Sequence, residues 1–189
     1  TSGNIVWEWH VWDHLVQNVN PSQANYQTSI VNHPELFNIN YKSTKDWLHM
    51  NGIDYNDSLK QIVFSSHNLN EVFVIEYDST NITTAGHTGG RYGKGGDFLY
   101  RWGNPASYGA TGTKNWSTVH DAHFVPYNCP RAGYIVGYNN NGISNTMSCV
   151  DMVNPPYDSN GSYLLNLGSA YAPTIYTNRI SCNGHNSNM

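Results

Sequence analysis

The sequence predicts an all-β chain built from repeated antiparallel units, and three observations carry that prediction. Apolar residues at helical spacing are nearly absent. Short runs of β-branched and aromatic residues recur instead, bounded by Asn, Gly, Asp and Pro clusters. One pattern of such runs then occurs twice along the chain.

In chain order, Ile5-Val6-Trp7-Glu8-Trp9 alternates as a half-buried strand does. Asp13 to Asn18 is the best helical candidate and Pro34 to Phe37 a weaker one. Strand composition marks Gln61 to Ser65, Val72 to Glu76, Tyr134 to Tyr138 and Ser148 to Met152. The first copy of the repeat runs from Asp46-Trp47-Leu48-His49-Met50-Asn51 through Ile62 to Glu76. The second runs from Val119-His120-Asp121-Ala122-His123 through Ile135 to Val153. His49 matches His120 at an offset of 71 residues, and Ile62 matches Ile135 at 73. Each copy reads strand, Tyr-Asn turn, strand, Asn-rich turn, strand. Phe98 to Gly103 supplies a fourth strand to the first copy, and Ile5 to Trp9 resembles that closing strand.

Serial four-stranded antiparallel units are the sequence form of β-propeller blades. The expected fold is therefore all-β, a partial β-propeller of about two to three blades. Residues 5–12 would close a preceding blade, 46–103 and 116–171 would form blades, and 174–189 would begin the next. A propeller closes with roughly four to eight blades. The ring would thus need further blades or other copies of the chain.

Composition narrows the function. The 189 residues are 39% hydrophobic and only 12% charged, with net charge −4. Polarity comes from neutral groups, including 26 Asn and 17 Ser. Aromatics at 13% with so small a net charge argue against disorder. Nine Lys and Arg are too few to track a phosphate backbone, so no nucleic-acid partner is expected. No apolar run reaches membrane-spanning length. Cys129, Cys149 and Cys182 lack C-x-x-C spacing, which leaves room for one disulfide and one thiol. The start at Thr1, without Met, implies a removed leader or a piece of something longer. Sequons at Asn56, Asn81, Asn115 and Asn160, with low Lys content, suggest a secreted or periplasmic glycoprotein.

His49 and His120 stand out because they occupy equivalent repeat positions. First strands line the channel of a propeller, so these two imidazoles would converge there as general acids or anion clamps. Structural histidines hydrogen-bonded within each unit are the alternative. His120 and His123 lie three apart on an expected strand, face opposite sides and cannot share an ion; no metal and no cofactor is expected. Gly86 to Asp97 is Gly-rich and could form an anion nest or a mobile surface loop. Its Arg91 and Lys94, with Arg101, are nearly the only cations near the repeat histidines. The Trp residues of Trp7 to Trp12 would stack on a ring substrate or fill the core.

Four segments resemble motifs of the bacterial arylsulfotransferases (aryl-sulfate sulfotransferases). They are Val6 to Leu15, Asp46-Trp47-Leu48-His49-Met50-Asn51, Gly86-His87-Thr88-Gly89-Gly90, and Gly95-Gly96-Asp97-Phe98-Leu99-Tyr100-Arg101-Trp102-Gly103-Asn104-Pro105. The resemblance covers Ile5 to Val153. It implies a six-bladed propeller, periplasmic or secreted. It implies transfer of a sulfuryl group from a phenolic sulfate ester to a phenol, through a sulfated histidine and without a nucleotide donor. By the same resemblance His49 and His120 flank the sulfuryl group. Two departures follow. Asn145 stands where the family often has a sulfate-binding Arg, so Arg101 or Arg91 would replace it, with Asn51 and Asn141 as further anion-binding candidates. The nucleophilic histidine belongs to a later blade, and the context of His185 does not match its motif. The leading expectation is thus an arylsulfotransferase-like protein acting on phenolic sulfates and phenols. The alternative is a non-catalytic secreted β-propeller, a binding or extracellular structural module. A metal-dependent enzyme using the His120 cluster is the third reading.

Overall fold

Residues 3–77, 80–165 and 167–182 are described by the structure, a computed structural model. β1 (Leu15–Val16) and β2 (Phe37–Asn38) pair in parallel. β3 (Met50–Asn56), β4 (Gln61–Ser66), β5 (Glu71–Glu76) and β6 (Tyr100–Trp102) form a four-stranded antiparallel sheet in chain order. β7 (Val119–Phe124), β8 (Ile135–Ser144), β9 (Met147–Val153) and β10 (Asn178–Cys182) form a second sheet of the same order. The all-β expectation holds, and the repeat is the two four-stranded meanders. Among the described residues no sheet closes on itself.

Every residue of β4 and β5 is buried, which explains their unbroken apolar runs. Side chains alternate between two covered faces. On one face Val63, Val72, Val74, Tyr100 and Trp102 pack on Val119, Ala122, Phe124, Ile135 and Val153 of the second sheet. On the other, Ile62, Phe64, Phe73 and Ile75 meet Leu15, Phe37 and Phe98, with Trp7, Trp9 and Trp47 against them.

Several element expectations are corrected. Residues 5–10 form no strand, a 3-10 turn follows at Val11–His14, and Ile5 and Val6 are 74% and 86% exposed. The alternation of Trp7 and Trp9 reflects docking, not pairing: Trp7 Nε1 donates to Thr84 Oγ1 at 3.1 Å and Trp9 Nε1 to the Gly96 carbonyl at 2.8 Å. The two helical candidates instead contribute a 3-10 turn, β1 and β2, since each apolar run is too short to build a helical face. The α-helix described is α1 (Asn81–Thr84). Residues 178–182 close the second sheet rather than begin a new unit, because Arg179, opposite Asp151 in register, makes a bidentate ion pair with it at 2.6 and 2.7 Å. Residues 183–189 lie outside the described residues.

All three cysteines are free. Cys149 lies opposite Ser181 and Cys182 opposite Ser148, so their side chains leave opposite faces of the sheet.

The sheets touch most closely where β3 crosses β7. A Cβ on Gly52 would collide with the Ala122 amide nitrogen and lie 2.9 Å from Asp121 Cα. Backbone atoms cannot yield as a flexible side chain would. Gly52→Val is therefore expected to cost about 1–3 kcal/mol, read by chemical denaturation, whereas an unchanged midpoint would show that the junction is loose.

Candidate functional site

The antiparallel order of β3 and β4 places the residue before β3 next to the residue after β4. Met50 pairs with Ser66, so His49 and His67 are neighbours, and the His67 amide donates to the His49 carbonyl at 3.1 Å. β7 then lays His120 beside them. The ring centroids of His49 and His67 are 4.8 Å apart, and those of His67 and His120 are 5.2 Å apart. The two repeat histidines thus come from different sheets into one cluster, with His67 between them.

The repeat register is offset in detail. A β-bulge falls between Met50 and Ile53 in β3 and between His120 and His123 in β7. The bulges align His120 with Met50 rather than with His49. Positive φ angles at His49 (46°), Thr118 (55°) and Asp121 (53°) bend both strands at this point. Such angles are uncommon outside glycine, above all for β-branched Thr, and persist only where neighbours impose them. Asn70 Oδ1 accepts from the Thr118 amide at 2.6 Å, and Asn141 Nδ2 donates to Thr118 Oγ1 at 3.1 Å.

Each ring is oriented through Nδ1. His49 Nδ1 pairs with Asp46 Oδ2, His67 Nδ1 lies 2.7 Å from Asn68 Oδ1, and His120 Nδ1 lies 3.0 Å from the Thr118 carbonyl. Asn68 Nδ2 donates to the Asp46 carbonyl, which leaves its Oδ1 as the acceptor for His67. A carbonyl can only accept, so Nδ1 carries the proton in His67 and His120. In a neutral ring oriented this way Nε2 keeps a lone pair for chemistry. Burial lowers the His120 pKa below the ordinary 6.5; the Thr118 carbonyl opposes this, and the His67 and His49 rings add to it. His120 is therefore a neutral imidazole at pH 7, next to a carboxylate-supported His49.

The other predicted residues play different parts. Asn51 Nδ2 donates to the Val119 carbonyl at 2.9 Å and Asn51 Oδ1 accepts from Ser65 Oγ at 2.6 Å, so Asn51 ties β3 to β7. Asn141 holds Thr118, which holds His120. Both position the cluster through the backbone rather than presenting their amides to it. Arg101 is fully buried, and its five N–H donors are all engaged: two on Glu71, two on the Pro34 and Leu36 carbonyls, one on Ser107. It has no donor left for an anion. Arg91 sits on a loop anchored at Glu76, the end of β5 remote from His67. The nest of that loop exists, but the anion in it is the protein's own: the Arg91 and Tyr92 amides bind the Glu76 carboxylate at 2.6 and 3.0 Å. His123 Nδ1 turns to the Asp121 carbonyl at 3.0 Å, away from His120. His185 lies outside the described residues. His67 was legible only as part of a repeat; its strand-end position opposite His49 was the signal.

A model of the family described as Arylsulfotransferase (ASST) matches residues 1–161. No curated protein and no solved structure gives a match. The two copies that bring His49 and His120 together both begin within the matched span, and the chain belongs to the arylsulfotransferase family.

Proposed function

We propose that this chain transfers a sulfuryl group from a phenolic sulfate ester to a phenol. The observation that supports this most is the meeting of His49 and His120, from separate sheets, around His67. Sulfuryl transfer parallels phosphoryl transfer: the transition state is loose, and catalysis is largely positioning and charge stabilisation. A departing phenolate, with a pKa of roughly 10, needs only modest protonation. His49 is given that role because Asp46 fixes its ring through Nδ1 and leaves Nε2 uncommitted. His120, neutral at pH 7, takes the proton of the incoming phenol. His67 stands between them, its ring held through Nδ1 by Asn68.

The sulfuryl group resides on an imidazole nitrogen between the two half-reactions. An N–S bond forms as the S–O(aryl) bond breaks, and the acceptor oxygen then displaces the nitrogen from sulfur. The two sheets would be neighbouring blades of a six-bladed propeller, secreted or periplasmic. Further blades or other copies of the chain would complete the ring and cover Ile143 and Ile180, which are exposed on the second sheet.

The test is p-nitrophenyl sulfate with phenol as acceptor. Nitrophenolate release that depends on phenol is expected, together with a mass gain of one SO3 unit on a histidine peptide after quenching with donor alone. Release without a sulfated histidine would remove the covalent step but keep the transfer. Absence of any release would favour a non-catalytic binding or structural module.

A further inference from the structure

Away from the histidine cluster, His87 and Asp97 line a cavity of about 730 Å³, and buried His14 stands behind them. His14 Nδ1 lies 2.7 Å from Asp97 Oδ1, and His87 Nδ1 lies 2.9 Å from the same oxygen and 3.2 Å from Oδ2. One ligand-type atom from each of the three side chains lies within 4.8 Å of the others. We propose that His14, His87 and Asp97 bind a divalent transition-metal ion of the zinc class, with its open coordination position facing the cavity.

The donor set is two imidazoles and one carboxylate, which suits zinc and its neighbours rather than magnesium or calcium. Bonds of roughly 2.1 Å to a tetrahedral ion would separate the ligand atoms by about 3.4 Å. The two rings would move from Asp97 by roughly 0.5–0.7 Å, and toward each other, to reach that spacing. The site is also held rigid. Trp9 stacks on the His14 ring at 5.0 Å and 2°, and its own N–H is tied to the Gly96 carbonyl. His14 is entirely buried, so it cannot turn outward to solvent.

His14 supplies a second, independent observation. Its Nε2 has no hydrogen-bond partner among the described residues, although buried polar atoms are nearly always paired. Hydrogen bonding to Asp97 alone leaves this ring half satisfied. Coordination through Nδ1 would fix the proton on Nε2. Nε2 lies beside the backbone at Gly96, where a Cβ would come within 2.8 Å of it, so the ring has no room to turn over. His87 has a side chain 57% exposed, so an ion has an entry path. Lys94 on the cavity wall would favour an anionic exogenous ligand.

The test is titration of the full chain, stripped by chelation, with Co2+ followed by its visible ligand-field absorption and with Zn2+ followed by calorimetry. One equivalent of Co2+ with a tetrahedral-type spectrum is expected, displaced by Zn2+. His87→Ala, a partly exposed position whose loss should leave the metal-free melting curve unchanged, is expected to weaken binding by roughly a hundredfold. His67→Ala is expected to leave binding intact. Absence of saturable binding would overturn the proposal. So would binding that survives His87→Ala, or binding lost in His67→Ala, which would place the ion in the other histidine cluster.

Discussion

Arg101→Ala is expected to destabilise the fold by about 3–5 kcal/mol, the usual consequence of removing one partner of a buried ion pair. Both side chains of the Arg101–Glu71 pair are essentially inaccessible, at 1% and 0%. The guanidinium also lies over the rings of Tyr108, Phe73 and Phe98 at 4.3, 5.0 and 5.5 Å. Its loss would strand the Glu71 carboxylate and two backbone carbonyls. The pH dependence has a definite sign. Burial already pushes Glu71 above its ordinary value of 4.5, with Arg101 and Ser107 opposing it. Without Arg101 the carboxyl rises further. A raised folded pKa contributes stability below pH 4.5 that is lost as pH climbs through the folded value. The variant should therefore lose more stability, relative to the parent, at pH 8 than at pH 5. Urea midpoints measured at both values check this. Arg91→Ala, on an exposed loop position, should change stability by less than about 0.5 kcal/mol. Equal effects from the two arginines would refute the assignment of Arg101 as structural.

His49→Ala and His120→Ala are each expected to lower the rate of sulfuryl transfer by about a hundredfold or more, the scale of general acid–base catalysis. The two should differ in their remaining pH profiles. Because burial, with its neighbouring rings, holds His120 below 6.5, the acid limb of the parent should fall below that pH. His67→Ala removes a ring whose charge disfavours protonation of His120, so the acid limb should move up toward 6.5. His120→Ala should abolish that limb. A limb unmoved by His67→Ala would mean that these rings do not share one electrostatic environment. Activity unchanged in His49→Ala and His120→Ala would remove both from the mechanism.

Much of the fold could be read directly because the relevant forces are local. β4 and β5 announced themselves as unbroken apolar runs, since both of their faces are covered. The first Asn-rich turn falls where a short polar residue suits the backbone, as at Asn70 with φ 60°, whereas Asn139 to Asn141 of the second copy lie inside β8. The errors arose where the same local pattern serves two ends. Trp7 and Trp9 alternate like a strand, yet they dock as single side chains on a loop, and nothing in five residues separates these outcomes. β10 looked like a beginning because its pairing with β9 depends on Arg179 meeting Asp151, 28 residues away.

The site divides in the same way. Sequence alone determined that a histidine opens each copy of a twice-used unit, because repetition is a property of the chain; the strand registers then align His120 with Met50 rather than with His49. It also determined the low charge and the family motifs. Only the tertiary structure decided which polar groups are available. Arg101 became structural because burial demands that all its donors be matched. The glycine loop took Glu76 as its anion, and His67 entered the cluster through the antiparallel return of β4 onto β3. Side-chain availability depends on what the folded chain leaves unpaired, and that is settled by contacts between residues far apart in sequence.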